Sequence, residues 1–171
     1  MGGLDARFLI SHLGLADRVR SLTTVCTPHH GSPVADWVCA NYQRRIPLLT
    51  ALQAFGIDVE GIAACRLADC RAFNARTPHT PGVRYFSYGA AVPLSQVTPF
   101  LRRAWNILTP LEGPNDGLVS VTSAHCGEYL GTLAVDHFAQ TPDGLFVRPG
   151  ESFDSAGFFT RLVEDLARRG F

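Results

Sequence analysis

Residues 21–33 read SLTTVCTPHHGSP, and this stretch is the clearest indication of the fold class. Its first seven residues are rich in β-branched side chains and are followed by Pro28, which predicts a strand over residues 21–27. A helix is predicted over residues 33–42, because proline is well tolerated in the first turn of a helix. A strand followed by a helix is the repeating unit of α/β proteins with a parallel sheet.

The rest of the chain continues this alternation of strands and helices. Two further strands are predicted over residues 83–89 and 117–123. The other predicted helices cover residues 4–13, 47–55, 62–74, 99–108 and 152–169. The predicted apolar face of the last helix consists of Phe159, Leu162, Val163 and Leu166. We therefore expect an α/β fold with about three parallel strands flanked by helices.

Length and charge limit the classes of protein to which the chain can belong. Its 171 residues have the size of one domain. Its 15 basic residues, all of them arginine, balance its 15 acidic residues. Binders of nucleic acid or of anionic membranes need an excess of positive charge, so this balance argues against both classes. No run of 18 apolar residues is present, which argues against a transmembrane helix.

The cysteines and the start of the chain bear on its location. Five cysteines without a CxxC pair indicate thiols in a reducing compartment and exclude a full set of disulfides. No basic-then-apolar leader opens the sequence. Both features favour a cytoplasmic location, although the loss of an N-terminal segment would also remove a signal peptide.

The residues that suggest chemistry lie in turns beside the predicted strands. Asp116 lies in the sequence PNDG and, taken alone, is typical of an ordinary turn. His137 follows 21 residues later and, taken alone, is typical of a surface or partly buried histidine. Together they allow a second interpretation, in which a carboxylate orients an imidazole. We prefer Asp116 to Asp136 as the partner, because an adjacent residue orients the ring poorly across one peptide bond. Asp136 is expected to be solvated or a local helper.

Two adjacent histidines, His29 and His30, raise the question of a metal site. Neighbouring side chains of an extended segment point to opposite sides, and no third ligand is spaced to join them. The pair therefore predicts a tight loop at the end of a strand. Cys26, just before this loop, is interpreted as a packed strand residue and not as a nucleophile.

Four segments, taken in order, resemble one family. They are residues 1–7 (MGGLDAR), 22–32 (LTTVCTPHHGS), 115–120 (NDGLVS) and 136–137 (DH). Together they resemble the C-terminal half of a bacterial-type triacylglycerol lipase or esterase of the α/β-hydrolase superfamily. The resemblance implies a Ser–Asp–His triad in that chain order, with Asp116 as the acid and His137 as the general base. It implies hydrolysis of a carboxylic ester in an acylglycerol or another lipid.

The resemblance also implies how the chain is organised. Residues 1–171 would form a single incomplete domain with a partial α/β-hydrolase fold. Residues 33–75 would correspond to the helical, lid-like insertion that also contributes to the acyl pocket.

The nucleophile is where the sequence departs from the family. The family's elbow reads Gly-x-Ser-x-Gly, and Met1 and Gly2 match only its last two positions. The serine would therefore directly precede Met1, whose own N–H would be the remnant of the oxyanion hole. No strand–turn–helix elbow surrounds the serines considered as substitutes, which are Ser11, Ser32, Ser87 and Ser120. We expect this chain alone to lack the nucleophile and to be inactive.

A calcium site of related lipases is not expected here. Such a site uses acidic residues, one of them just after the catalytic histidine, whereas His137 is followed by Phe-Ala-Gln. No acidic residue lies between Asp69 and Glu112 to supply another ligand. We therefore expect no metal and no cofactor.

Two other interpretations compete with the one in which the chain is part of a lipase or esterase. One is a non-catalytic, hydrolase-like module that self-associates through the unpaired edge of strand 21–27. The other is a different enzyme, in which Asp116 and His137 activate water directly. If the chain belongs to a lipase or esterase, its partner is a lipid ester substrate, because the apolar segments 37–55 and 90–108 favour an acyl chain over a charged group.

Overall fold

The sheet is parallel, as the alternation of strands and helices predicts. A computed structural model describes residues 1–41, 59–140 and 153–171. Within them, the strands β1 (Ser21–Val25), β2 (Arg84–Ala90) and β3 (Glu128–Leu133) form one parallel sheet in the order β1-β2-β3. The expected α/β fold with three parallel strands flanked by helices is confirmed.

Helices connect and flank these strands. In chain order they are α1 (Gly2–His12), α2 (Pro33–Asn41), α3 (Val59–Ala64), α4 (Leu67–Arg76), α5 (Arg102–Glu112), α6 (Val121–Ala124) and α7 (Ser155–Arg168). Short 3-10 helices cover Ala16–Arg18, Leu94–Gln96, Pro99–Leu101 and Phe138–Gln140. The helix predicted over residues 47–55 lies outside the described residues. Among the helices described, none is both long and apolar enough to span a membrane.

The register of the sheet brings the carboxyl ends of the strands to one edge. Val25 of β1 is paired with Tyr88 of β2, and Ala90 of β2 with Leu133 of β3. Cys26 ends β1 because it adopts a left-handed backbone conformation with φ of 51°. Segments that leave parallel strands at the same edge lie close together, which is where α/β proteins commonly build their sites.

The predicted third strand, over residues 117–123, is wrong. These residues form a turn and then the short helix α6, whereas the third strand is β3, five residues further on. Side chains explain the difference: the Asp116 carboxylate accepts the backbone N–H of Val119, and the Ser120 hydroxyl accepts that of Ser123. Backbone donors that are satisfied locally by side chains have no need of a sheet neighbour.

The single helix predicted over residues 62–74 is divided into α3 and α4. Between them, the carbonyl oxygen of Cys65 accepts the N–H of Ser32 at 2.8 Å. The N–H of Leu67, which begins α4, donates to the carboxylate of Asp36 at 3.2 Å. The break therefore exists because α2 and the loop before it supply the partners for the exposed helix ends.

The last helix buries a slightly different face from the predicted one. Phe158 is buried, whereas Phe159 is 45% exposed and Val163 is 64% exposed. Phe158 packs edge-to-face on Tyr88 of β2, with ring centroids 5.2 Å apart. Asp154 caps the helix by accepting the N–H of Gly157.

The largest apolar cluster of the described residues lies among helices. Helices α2, α3 and α5 and the segment before α5 pack together through Val34, Ala35, Val38, Ile62, Val97, Leu101, Ala104 and Leu108. A smaller cluster of Cys26, Ala90 and Val135 lies at the carboxyl ends of the three strands. This second cluster fixes the segments that leave the strands, including the one that leads to His137.

A buried polar network holds α1 to the loop after β1. The Arg7 guanidinium, 5% exposed, donates to Asn74 Oδ1 at 2.8 Å and to the carbonyl oxygen of Thr77 at 2.8 Å. It also lies 3.3 Å from His29 Nδ1, and His29 Nε2 lies 2.9 Å from the Thr24 hydroxyl. Burial, followed by the charge of Arg7, lowers the pKa of His29 to about 3, so the ring is neutral and Nδ1 accepts from Arg7.

The docking of β3 on β2 depends on Gly127. Its φ of +69° is in the left-handed region, and a Cβ there would overlap the carbonyl oxygen of Tyr85. Gly14 has the same φ of +69°, but a Cβ there would meet no atom within 4 Å. We expect Gly127→Ala to lower the free energy of unfolding by about 3 kcal/mol or more.

The matched variant Gly14→Ala carries only the conformational cost, about 1 kcal/mol. Denaturant-induced unfolding of both variants measures the difference. Equal losses in the two variants would contradict the close contact between Gly127 and β2.

Candidate functional site

Asp116 lies in a turn that its own side chain closes. Its Oδ1 atom accepts the backbone N–H groups of Leu118 at 2.9 Å and Val119 at 2.7 Å. Gly117 follows with φ of +96°, and a Cβ there would lie 2.9 Å from that of Leu101. Because the turn is fixed in this way and Asp116 is fully buried, its second oxygen, Oδ2, has a defined direction.

Asn115 supports the same turn, a role that its sequence context alone does not predict. Its side-chain oxygen accepts the N–H of Gly117, and its amide nitrogen donates to Thr109 Oγ1 and to the carbonyl oxygen of Gly113. Asn before Asp-Gly is a common turn signal, so the residue type alone suggested no more than a turn.

His137 binds the free oxygen of Asp116. The distance from His137 Nδ1 to Asp116 Oδ2 is 2.7 Å, and the His137 backbone N–H donates to the Asp116 carbonyl oxygen at 2.9 Å. A carboxylate accepts hydrogen bonds, so Nδ1 carries the proton and Nε2 is left as the basic atom of the neutral ring. The His137 side chain is 29% exposed, which leaves the ring accessible.

The electrostatics of this pair favour the imidazolium. Burial by itself lowers the pKa of His137, but the charge of Asp116 and the hydrogen bond to it outweigh burial, so the pKa is raised above its ordinary value of 6.5. The charge of Asp136 raises this pKa further, and the amino group of Met1 lowers it. A fixed carboxylate beside the ring stabilises the imidazolium that forms when the ring accepts a proton from a hydroxyl group.

Two more side chains surround the Asp116 carboxylate. Gln140 Nε2 donates to Oδ2 at 3.1 Å, so this oxygen is shared between Gln140 and His137. Cys26 is buried, and its thiol pKa is raised by burial first and then by the charge of Asp116. The thiol is therefore protonated, as a packed residue would be, which argues against a nucleophilic role. No sequence signal identified Gln140, because a glutamine in a turn is an unremarkable residue.

Asp136 was expected to be solvated or a local helper, and the first of these expectations is wrong. Only 4% of the residue is exposed, and its Oδ2 atom accepts the N–H of Thr98 at 2.7 Å. Its Oδ1 atom accepts the N–H groups of Phe138 and Ala139. The His137 ring binds Asp116 and not Asp136. Asp136 organises the turn that carries this ring.

The two adjacent histidines differ sharply in environment. His29 is 1% exposed and belongs to the Arg7 network, whereas His30 is exposed. In the part of the chain that the structure describes, no three His, Cys, Asp or Glu side chains come together as a metal site would require.

An apolar cavity of about 200 Å³ opens beside His137. Its walls come from the loop after β1, from helices α2 and α3, and from the turn of Asp116. The lining residues are Met1, Pro28, Ser32, Val34, Ala35, Val38, Gly61, Ile62, Cys65, Leu118, Val119 and His137. Of the three site residues named from the sequence, Met1 and His137 line this cavity, and Asp116 lies behind them in contact with His137.

Ser32 also lines this cavity, but its hydroxyl is engaged elsewhere. The Oγ atom donates to the carbonyl oxygen of Leu118 at 2.8 Å, and the residue is 5% exposed. The hydroxyl group therefore joins the loop after β1 to the turn of Asp116, and its proton is engaged by the Leu118 carbonyl.

Known proteins resemble the chain in both sequence and fold. No protein-family model matches it. It is 35% identical over 190 aligned positions to triacylglycerol lipase 2 of Saccharomyces cerevisiae, an alignment that covers 100% of this chain and 56% of the yeast protein.

Solved structures resemble it in fold. The metagenomic carboxyl esterase MGS0156 matches 95% of this chain and 52% of its own with a TM-score of 0.70 at 24% identity. Mature Bacillus licheniformis lipase BlEst2 matches 80% of this chain and 55% of its own with a TM-score of 0.67 at 24% identity. Staphylococcus hyicus lipase matches 98% of this chain and 68% of its own with a TM-score of 0.73 at 16% identity.

The chain thus spans about half the length of the yeast relative and of the first two solved structures. Its parallel sheet, its full-length alignment to the yeast protein and its structural neighbours agree with one another. The chain resembles a yeast triacylglycerol lipase along its whole length and shares the fold of solved lipases and esterases.

Proposed function

We propose that this chain carries the acid and the base of a Ser–Asp–His triad that hydrolyses carboxylic esters of lipids. The observation that carries the proposal is the 2.7 Å contact between His137 Nδ1 and the fully buried Asp116 carboxylate, beside an apolar cavity. In the reaction, His137 Nε2 accepts the proton of the serine as it attacks the ester carbonyl carbon. His137 then returns that proton to the leaving alcohol, which leaves the acyl group on the serine. Water, deprotonated by the same ring, cleaves this acyl-serine ester, so the acid is released and the serine is restored. Asp116 holds the ring in the correct tautomer.

We propose an acylglycerol or another lipid ester as the substrate. The cavity is lined mainly by aliphatic side chains, including Val38 and Ile62, which suit an acyl chain and offer no charge to a polar substrate. The yeast relative is named a triacylglycerol lipase, which points in the same direction. Helices α2 and α3, from the proposed lid-like segment 33–75, contribute much of this wall.

We further propose that the nucleophile is a serine directly before Met1 and that the printed chain alone is inactive. Met1 lines the same cavity as His137, so a preceding residue would lie near the base. In an acyl-transfer site of this kind, the Met1 N–H would stabilise the oxyanion. Ser32, the serine that lines the cavity, has its hydroxyl bound to Leu118.

Ester hydrolysis tests the triad directly. We expect the polypeptide extended by its upstream-encoded residues to hydrolyse p-nitrophenyl esters and emulsified acylglycerols, and the printed chain to remain at background. In the extended protein, His137→Ala and Asp116→Asn should each lower kcat by roughly 10³–10⁴-fold, because the base or its orientation is lost.

Ser11→Ala, at a serine outside this cavity, is the matched control and should leave kcat within a few-fold. An upstream sequence without a serine at that place would contradict the proposed nucleophile. Hydrolysis by the printed chain that survives His137→Ala would contradict the triad itself.

The pH dependence of kcat/KM should reflect the raised pKa of His137. Only the neutral imidazole accepts the serine proton, so activity should increase with pH through this pKa, and the midpoint should lie above 6.5. Asp116→Asn removes both the negative charge and the charged acceptor that raise the pKa, so the midpoint of its residual activity should move to lower pH. A midpoint unchanged by Asp116→Asn would contradict the coupling between the two groups.

We propose self-association through an edge strand as a second candidate function, which requires no catalysis. Within the described residues, β1 pairs with β2 alone, and an open strand edge can accept another strand. We expect light scattering of the purified chain to give the mass of a dimer at high concentration. His137→Ala should leave that mass unchanged, and a monomer at all concentrations would contradict this alternative.

A further inference from the structure

We propose that Asp136 is a positioning residue, which fixes the turn of His137 against Asp116 by tying that turn to the segment before α5. This inference rests on the proposed function, in which His137 is the base. It assigns a role to the residue next to the base that acts through the backbone, without contact between the two side chains.

One carboxylate oxygen of Asp136 organises the turn itself. Oδ1 accepts the N–H of Phe138 at 3.1 Å and that of Ala139 at 2.9 Å. These are the first two residues of the 3-10 helix Phe138–Gln140, so Asp136 satisfies N–H groups that the helix leaves unpaired, as an N-cap does. The conformation of the backbone on either side of His137 is set by this contact.

The other oxygen joins the turn to the core. Oδ2 accepts the N–H of Thr98 at 2.7 Å, a short hydrogen bond to a charged acceptor. Thr98 is 6% exposed and lies between Val97 and the 3-10 helix Pro99–Leu101. Val97 and Leu101 are both fully buried in the largest core cluster, so the anchor is rigid.

The turn presents two side chains to the same atom. His137 Nδ1 and Gln140 Nε2 lie 2.7 Å and 3.1 Å from Asp116 Oδ2. Because both side chains come from the turn that Asp136 closes, a displacement of this turn would lengthen both contacts together. Among the described residues, the charged groups that act on His137 are Asp116, Asp136 and the amino group of Met1, so we change the geometry at constant charge.

Thr98 offers such a change. Its φ of −48° is close to the value that proline imposes, and Val97 before it is extended, as a residue before proline prefers. Thr98→Pro therefore removes the N–H that binds Asp136, and Thr98→Ala, the matched control, retains that N–H. Both variants lose the threonine hydroxyl, and both keep every charge near His137.

The pKa of His137 is measured by NMR titration of its Cε1–H signal in the 171-residue chain. We expect a lower pKa in Thr98→Pro than in Thr98→Ala, because a longer contact with Asp116 stabilises the imidazolium less. The same pKa in the two folded variants would overturn the proposal.

A second pair of variants keeps the test decisive if Thr98→Pro does not fold. Asp136→Glu retains the charge but lengthens the side chain, so its carboxylate no longer fits both Thr98 and the 3-10 helix. Its control is Asp154→Glu, which alters the cap of α7 in the same way, away from the site. We expect the pKa of His137 to decrease in Asp136→Glu and to stay at the wild-type value in Asp154→Glu, and no decrease in Asp136→Glu would overturn the proposal.

These titrations need no turnover, so they separate the two proposals. If the extended protein hydrolyses no ester while the pKa of His137 responds as expected, the proposed function fails and the positioning role stands. If esters are hydrolysed while the pKa does not respond, the positioning role alone fails.

Discussion

The hydrogen bond between the buried Asp116 carboxylate and the His137 ring underlies the whole site. A carboxylate without solvent is costly unless each oxygen has a partner. Here each oxygen has its own partners, since Oδ1 accepts two backbone N–H groups of its own turn and Oδ2 contacts His137 and Gln140. The two backbone N–H groups fix the direction of the carboxylate, and His137 and Gln140 bind the oxygen that is left facing them. The raised pKa of His137 follows from the same contact, because the charge it faces is close and cannot move away.

The sheet explains why this contact forms at the point where it does. Three parallel strands end at one edge, and the segments that leave them are held together by the small cluster of Cys26, Ala90 and Val135. The turn of Asp116 is joined to the end of β2 by the hydrogen bond from the Val92 N–H to the carbonyl oxygen of Asn115. Residues that are far apart in the chain therefore meet at a single cavity, whose apolar wall is part of the same core that supports α2 and α5.

Buried polar groups fix the local conformation of the loops around the site. The Arg7–His29 network fixes the loop after β1, and Asp136 fixes the turn after β3. In both places a charged side chain satisfies backbone or ring atoms that would otherwise be buried without partners. Each network joins a loop to a helix or to the segment before one, so the loops are held by the rigid part of the molecule.

The fold class, the first two strands and the pairing of Asp116 with His137 could all be predicted from the amino-acid sequence. The fold class and the two strands follow from regular patterns, since β-branched runs and prolines mark strand and helix boundaries. The pairing of Asp116 with His137 was supported by a family resemblance. The third strand and the roles of Asp136, Gln140 and Asn115 emerged only from the folded chain. Their roles depend on which backbone N–H or side-chain oxygen lies within about 3 Å, as where Thr98 meets Asp136, and residues 38 positions apart meet only when the chain folds.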